Sequence, residues 1–200
     1  MADIPRMVEI VTTFRKLLPI PFTVKIRAGF KECNGLEVAK ILEGCGVDAI
    51  AIHPRLQTQK FEGRPDYALA AKVKQAVKVP VILSGGIVNW VTARMAYEQT
   101  GVDGYLIGRG IWAKPWKLHE LREHSLGNQY TVSSSVVLQS ALTQLEYMLA
   151  YYGPQGLYNF RKHLPFYIKG LPEAALLREK LIVAHSVEEV KEGLVSFLGK

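Results

Sequence analysis

Two short glycine-rich stretches and a few cations carry the chemistry of this 200-residue sequence. Ser84-Gly85-Gly86-Ile87 follows one apolar run, and Ile107-Gly108-Arg109-Gly110 follows the next. Glycines at such turns let backbone N–H groups approach an anion closely, and Arg109 adds a fixed positive charge. One such loop could merely turn a tight corner; two in succession, one bearing an arginine, point to a phosphate group. Lys25 and Arg27 lie two apart on an earlier run, so they share one face of a strand while Val24 and Ile26 take the other. Such cations are seldom buried unpaired, so in an interior strand they call for an anionic ligand or carboxylates; a solvated strand end is the alternative. His53 ends a further run, just before Pro54 and Arg55. It reads either as a hydrogen-bonded core histidine or as a residue acting on a ligand. Cys33 reads as a free surface thiol and Cys45, between Gly44 and Gly46, as packing.

Four short runs rich in β-branched residues must position these groups: residues 22–27, 49–53, 81–84 and 104–108. Between them come apolar residues at helical spacing: Leu36, Ala39 and Leu42; then Leu69, Val73 and Val77; then Val88, Val91 and Met95. Another helix precedes the first strand, around residues 7–18. This βα alternation predicts an α/β fold with a parallel sheet buried on both faces. Lys25, His53, Ser84 and Gly108 are separated by 28, 31 and 24 positions, each about one βα unit. All four are therefore expected at the C-terminal edge of the sheet, where parallel α/β folds bind ligands.

The alternation stops near residue 125. The polar stretch Ser125-Leu126-Gly127-Asn128-Gln129 leads to a small all-α domain over residues 130–200. Ser133-Ser134-Ser135 offers N-caps to a helix through Leu149, and Gly153-Pro154 breaks it. A second helix is expected over residues 158–168, a third over 174–182, and Ser186-Val187-Glu188-Glu189 reads as a capping box opening the last. Trp112 and Trp116 flank Pro115, which starts a helix, and read as core staples. Arg161-Lys162-His163, followed by aromatics and Lys169, suits a nucleic-acid backbone, although a solvated helix face would look similar.

Hydrophobic residues at 48% and charged residues at 22% are globular proportions and exclude a disordered or collagen-like chain. No apolar run approaches a membrane span, and the first residues lack the order of a secretory signal. Two cysteines are too few for a disulfide framework or a four-ligand zinc site, so a cytoplasmic setting is expected. The net charge of +7 permits a polyanionic partner such as RNA.

Together these residues resemble the tRNA-dihydrouridine synthase family. The likeness rests on Lys25-Ile26-Arg27, Ile52-His53-Pro54-Arg55, the loops at Ser84-Gly85-Gly86-Ile87 and Ile107-Gly108-Arg109-Gly110, then Pro115-Trp116, Arg161-Lys162-His163 and Tyr167-Ile168-Lys169-Gly170, in that order. The resemblance implies about four βα units forming the C-terminal half of a TIM barrel over residues 1–125, followed by a helical tRNA-binding domain. It implies reduction of uridine to 5,6-dihydrouridine in tRNA, with FMN as cofactor and NADPH as reductant. Ser84, Gly85, Gly86, Gly108 and Arg109 would hold the flavin phosphate, with Lys25 and His53 at the flavin. Arg27 and Arg55 would face the uridine or its phosphate, and Arg161, Lys162, His163 and Lys169 would grip tRNA.

The sequence also departs from the family. The first half of the barrel and the cysteine that protonates the uracil ring have no counterpart, since Cys33 and Cys45 do not occupy that cysteine's place. Pro54 stands where a glycine is usual, and Ser84 where an asparagine is. A half barrel exposes two strand edges and the barrel's apolar interior, so a complementary N-terminal half or a second copy is the expected partner, and the chain alone should be oligomeric or poorly soluble. A catalytically inactive, truncated tRNA-binding remnant is the rival reading. A different phosphate-binding βα enzyme, such as a flavin dehydrogenase or a sugar-phosphate isomerase, is a third; it would not need the Arg161-Lys162-His163 cluster.

Overall fold

A computed structural model describes residues 3–199. Cα packing divides the chain into two compact units, one ending at Gly108 and one starting at Arg109, earlier than the boundary expected near residues 125–130. The first unit runs α1 (Ile4–Leu17), β1 (Thr23–Gly29), α2 (Gly35–Gly44), β2 (Ala49–Leu56), α3 (Tyr67–Ala76), β3 (Val81–Ser84), α4 (Trp90–Thr100) and β4 (Gly104–Leu106). Its four strands form one parallel sheet in the order β1-β2-β3-β4.

The register separates the residues of each strand onto two faces. Ile26 pairs with Ile52 and Ile52 with Leu83, while Ile50 pairs with Val81. These five side chains are at most 5% exposed, and the buried Val38, Leu42, Leu69, Val73 and Ala93 of the flanking helices complete the core. Tyr105 of β4 lies in the same row as Leu83 and donates to the Ala93 carbonyl of α4 at 2.6 Å. The opposite face carries Lys25, Ala51, Ile82, Ser84 and Leu106, none of which is buried. The expectation of burial on both faces is therefore corrected: α2, α3 and α4 cover one side, and on the other the only buried strand side chains among the described residues are His53 and Arg55, at the end of β2.

At the N-terminal edge a Gly-Val-Asp triplet occurs twice, just before β2 and just before β4. Asp48 accepts the Phe22 N–H at 2.6 Å and pairs with Arg15 of α1 at 2.8 Å. Asp103 accepts the Val81 N–H at 2.7 Å and pairs with Lys74 of α3 at 2.7 Å. Each aspartate thus ties the start of the neighbouring strand to a helix. The Lys74 ammonium, then the Val81 N–H, hold the Asp103 carboxyl below the usual range.

From Arg109 onward every described element is helical: a 3₁₀ turn (Arg109–Ile111), then α5 (Lys117–Ser125), α6 (Ser134–Tyr152), α7 (Gln155–Arg161), α8 (Leu164–Ile168), α9 (Ala174–Ile182) and α10 (Val187–Leu198). The single helix expected over residues 158–168 is two. Pro165 has no N–H to donate within a continuing helix and sits in the first turn of α8, so the chain re-initiates there. Pro115 does not open α5 but lies in the turn before it. Trp116 is 9% exposed in this unit's core, whereas Trp112 is half exposed with its ring edge-on to Phe166. Ser186 caps α10 through the Glu189 N–H; the Glu189 carboxylate reaches the His185 N–H rather than that of Ser186, so the reciprocal box is displaced by one residue.

The core of this unit gathers Leu145, Phe160, Leu164, Ile168, Leu181 and Leu194. Tyr167 is buried against it, and its hydroxyl donates to Gln144 Oε1 at 2.9 Å with Ser140 O at 3.3 Å. Burial pushes its phenol up to about 12.

Two outcomes follow for stability. Asp103→Ala strands the Val81 N–H and lowers the free energy of unfolding by about 1–3 kcal/mol. The depressed carboxyl stabilises the fold above the ordinary aspartate pKa and loses that contribution as pH falls through the folded value, so the variant's acid-side stability loss is shallower in denaturant titrations. Tyr167 acts at the other end of the scale. Between pH 10 and about 12 the unfolded phenol ionises while the folded one keeps its proton, so stability falls by up to about 3 kcal/mol. Tyr167→Phe removes that share of the alkaline loss; an unchanged alkaline limb would refute the assignment.

Candidate functional site

Parallel register sorts the expected cations into two rows on the uncovered face. Lys25 is level with Ala51, Ile82 and Gly104. Arg27 is level with His53, and Ser84 lies one step beyond the Ile52–Leu83 pair, so Arg27, His53, Ser84 and Leu106 form the last row. Lys25 therefore sits one row deeper than His53, not beside it. On this uncovered face the Lys25 side chain is exposed. Partial burial of the stem, and secondarily the like charge of Arg27, hold the Lys25 ammonium below the ordinary lysine range.

Arg27 does not wait for a carboxylate. Its Nη1 donates to the carbonyls of Leu56 at 3.0 Å and Lys60 at 3.1 Å, and its guanidinium lies 5.8 Å over the Phe61 ring. Carbonyl oxygens and an aromatic face thus satisfy a cation expected to need an acid or a ligand. His53 and Arg55 are buried, at 6% and 7% exposure. Two residues apart on β2, they meet: Arg55 Nη1 is 3.1 Å from His53 Nε2, and Arg55 Nη2 donates to Gly63 O at 2.8 Å. Guanidinium nitrogens only donate, so this contact fits the His53 tautomer that carries its proton on Nδ1. Pro54 lets the strand continue, and its carbonyl accepts the Asp66 N–H at 2.8 Å, which fixes the start of α3.

The Ser84–Ile87 loop closes against this pair. Gly85 and Gly86 have φ of +105° and +83°, left-handed conformations that glycine takes without strain. A Cβ on Gly85 would fall 2.8 Å from His53 Cδ2, and one on Gly86 would overlap the Tyr67 hydroxyl. Tyr67, the first residue of α3, backs the loop, with its hydroxyl 3.4 Å from the Gly85 carbonyl; burial raises its phenol above the ordinary range. The ladder pair Ser84–Leu106 turns the Gly85 N–H toward β4, while among the described residues the N–H groups of Gly86 and Ile87 donate to no backbone carbonyl. Gly108 is exposed, and a Cβ built there would meet nothing within 4 Å. Arg109 follows it and opens the 3₁₀ turn.

Sequence reasoning missed Tyr67 and Phe61. The Asp66 N-cap, which accepts the Leu69 N–H at 2.9 Å, was a signal that could have placed Tyr67 at a helix start beside the strand ends. Nothing in the spacing announced Phe61, whose ring lies 6.2 Å from that of His53.

In the helical unit, Arg161 ends α7 with its guanidinium 4.8 Å over the Tyr158 ring, and Lys162 and His163 occupy the break before α8. Lys169 caps the end of α8. Lys162 and Lys169 are exposed; Arg161 and His163 are half-buried. The described residues contain no cluster of three or more His, Cys, Asp or Glu side chains able to hold a metal ion, and no helix among them is long and apolar enough to cross a membrane.

The loop geometry makes a direct prediction. Gly86→Ala forces a left-handed alanine against Tyr67 and destabilises the first unit by about 1–3 kcal/mol. Tyr67→Phe in the alanine background removes the overlapping hydroxyl and recovers part of that loss, leaving the backbone strain. Additive effects in a double-mutant cycle by denaturant unfolding would contradict the contact.

Comparison with known proteins agrees with this layout. The chain is 33% identical over 187 residues to a probable tRNA-dihydrouridine synthase of Rickettsia bellii, covering 91% of this chain and 57% of that protein. It is 35% identical over 187 residues to probable tRNA-dihydrouridine synthase 1 of Synechocystis, covering 92% and 53%. It is 34% identical over 184 residues to tRNA-dihydrouridine synthase B of Xanthomonas campestris, covering 89% and 55%. The chain thus spans little more than half the length of the curated relatives it matches. The family model for dihydrouridine synthase matches residues 1–198, and the chain belongs to that family.

Proposed function

We propose that this chain carries the cofactor-holding and RNA-holding part of an enzyme that reduces uridine to 5,6-dihydrouridine in tRNA, using FMN and NADPH. On this reading the βα unit is the C-terminal half of a TIM barrel, and its uncovered sheet face is the barrel interior. A complementary N-terminal half or a second copy would cover that face, and the enzyme works in the cytoplasm.

The observation that carries the reading is the Gly85–Gly86 loop, seated on the buried His53–Arg55 pair, in which the Gly86 and Ile87 N–H groups donate to no backbone carbonyl among the described residues. That donor set fits a phosphate-bearing flavin: backbone amides suit a phosphate dianion, and no carboxylate stands in either of the two cation-bearing rows to repel it. Ser84, Gly85, Gly86 and Gly108 would hold the phosphate, with Arg109, one peptide bond beyond Gly108, as its counter-charge. Lys25 and His53 would orient the flavin ring. FMN, when bound, supplies the hydride chemistry, and NADPH restores it.

The protein's own contribution is placement. Arg55 holds His53 in one tautomer and one orientation, so that His53 presents a fixed face to the ring. Arg27, anchored by two carbonyls and Phe61, supplies a positive edge toward the uridine or its phosphate, and Arg55 lends the same sign from beneath. A target base must leave its stack to reach this edge. Arg161, Lys162, His163 and Lys169 of the helical unit would hold the surrounding tRNA backbone.

A second reading, a tRNA-binding remnant without turnover, draws on the thiols. Cys45 caps the end of α2, at the sheet edge opposite to this loop, and Cys33 lies exposed in the β1–α2 turn. The two readings separate by colour and by chemistry.

The protein incubated with FMN is expected to stay yellow through gel filtration. Lys25→Ala and Arg109→Ala each weaken FMN binding about tenfold or more, the scale of a lost charge-assisted hydrogen bond. Supplied with a complementary N-terminal half, NADPH and unmodified tRNA, it converts uridine to dihydrouridine. A colourless protein that binds tRNA would favour the remnant, and a flavin-loaded reconstituted barrel that leaves tRNA unchanged would defeat the enzymatic reading.

A further inference from the structure

We propose that the exposed tyrosines at the corner between α6 and α7 form a stacking surface for unpaired nucleobases of RNA. This rests on the tRNA reading above and adds a base-contacting site to its backbone-gripping cations.

Four exposed tyrosines lie in the last turns of α6 and in α7. Tyr147, Tyr151, Tyr152 and Tyr158 are 72%, 82%, 51% and 51% exposed. Tyr147 and Tyr151 lie one helical turn apart, on the side of α6 away from Leu145, Met148 and Leu149, which serve the core. Tyr151 and Tyr152 hold each other edge to face, with ring centroids 4.7 Å apart. Tyr158 lies under the Arg161 guanidinium at 4.8 Å. Among the described residues none of the four hydroxyls makes a hydrogen bond, so no internal polar partner accounts for the choice of tyrosine. Gly156 fixes the corner: a Cβ there would strike the Met148 backbone, so α7 is seated tightly on α6 and the rings stand on a rigid base.

Charge selects the partner. From residue 147 to residue 172 the sequence has no Asp or Glu, while Arg161, Lys162 and Lys169 fall inside that stretch. Flat, solvent-facing rings, one of them under the Arg161 guanidinium, in a stretch without carboxylates suit a polyanion that itself carries flat rings. Single-stranded RNA has both features: its phosphates meet the cations, and its unstacked bases meet the tyrosine faces.

Binding of the full chain to tRNA, to a short oligoadenylate and to an abasic oligonucleotide of equal length tests this by fluorescence anisotropy across a salt series. The Tyr147→Ala/Tyr151→Ala variant, its fold checked by circular dichroism, should bind oligoadenylate about fivefold or more weakly, the low end of base–aromatic stacking. It should bind the abasic strand as the parent does, with an unchanged salt slope, and Tyr147→Phe/Tyr151→Phe should restore the loss. Lys162→Gln, in contrast, should lower the salt slope for every strand. Equal affinity of parent and alanine variant for oligoadenylate overturns the stacking surface and leaves the tRNA reading standing. A parent that binds neither tRNA nor oligoadenylate overturns both. Alanine variants that dissociate a dimer, or that lose binding to anionic vesicles with RNA binding unchanged, would reassign the surface to a second copy or to a membrane and refute the proposal.

Discussion

One register of parallel pairing governs the first unit. Because Ile26, Ile52 and Leu83 share a row, the residues on either side of them must share the opposite face. A slip of one residue in any strand would bury Lys25 or His53 under the helices and expose the core. The two Gly-Val-Asp triplets guard against such a slip, since each aspartate fixes the first N–H of a neighbouring strand to a helix cation. Core packing, strand clamps and the alignment of the polar strand ends are therefore one arrangement.

Within that arrangement the cations are satisfied by unlike means. Arg27 spends its donors on loop carbonyls, Arg55 on His53 and Gly63, and Lys25 stays exposed on the uncovered face. Two arginines are thus structural as well as electropositive, and they fix the loop after β2. A site built this way is pre-organised before any ligand arrives, which lowers the ordering cost of binding.

Much of this was legible in the residues. The run 81–84 matches β3 to the residue, and the Gly85–Gly86 pair turned out to need glycine at both positions. The ends of β2 and β4 were harder to read. β2 continues past His53 to Leu56, because Pro54 still offers a carbonyl and Arg55 finds partners; β4 stops at Leu106, two residues short of Gly108. Tyr67 and Phe61 escaped notice since their roles depend on which loops the register brings together, not on spacing along the chain. The break between α7 and α8 was signalled by Pro165, yet the apolar periodicity on both sides masked it. Two expectations met on the sheet face: continuous apolar runs suggest burial on both sides, whereas a half barrel leaves its apolar interior exposed, and Ala51, Ile82 and Leu106 remain uncovered as the second requires.

The central claim is that the strand ends converge on one phosphate-binding edge. It is tested most directly by following the backbone amide resonances of Gly85, Gly86 and Gly108 during separate titrations with FMN and with riboflavin, which lacks the phosphate. The account predicts saturable shifts of all three amides with FMN and little movement with riboflavin. Equal shifts with both compounds, or shifts confined to residues away from these loops, would contradict it.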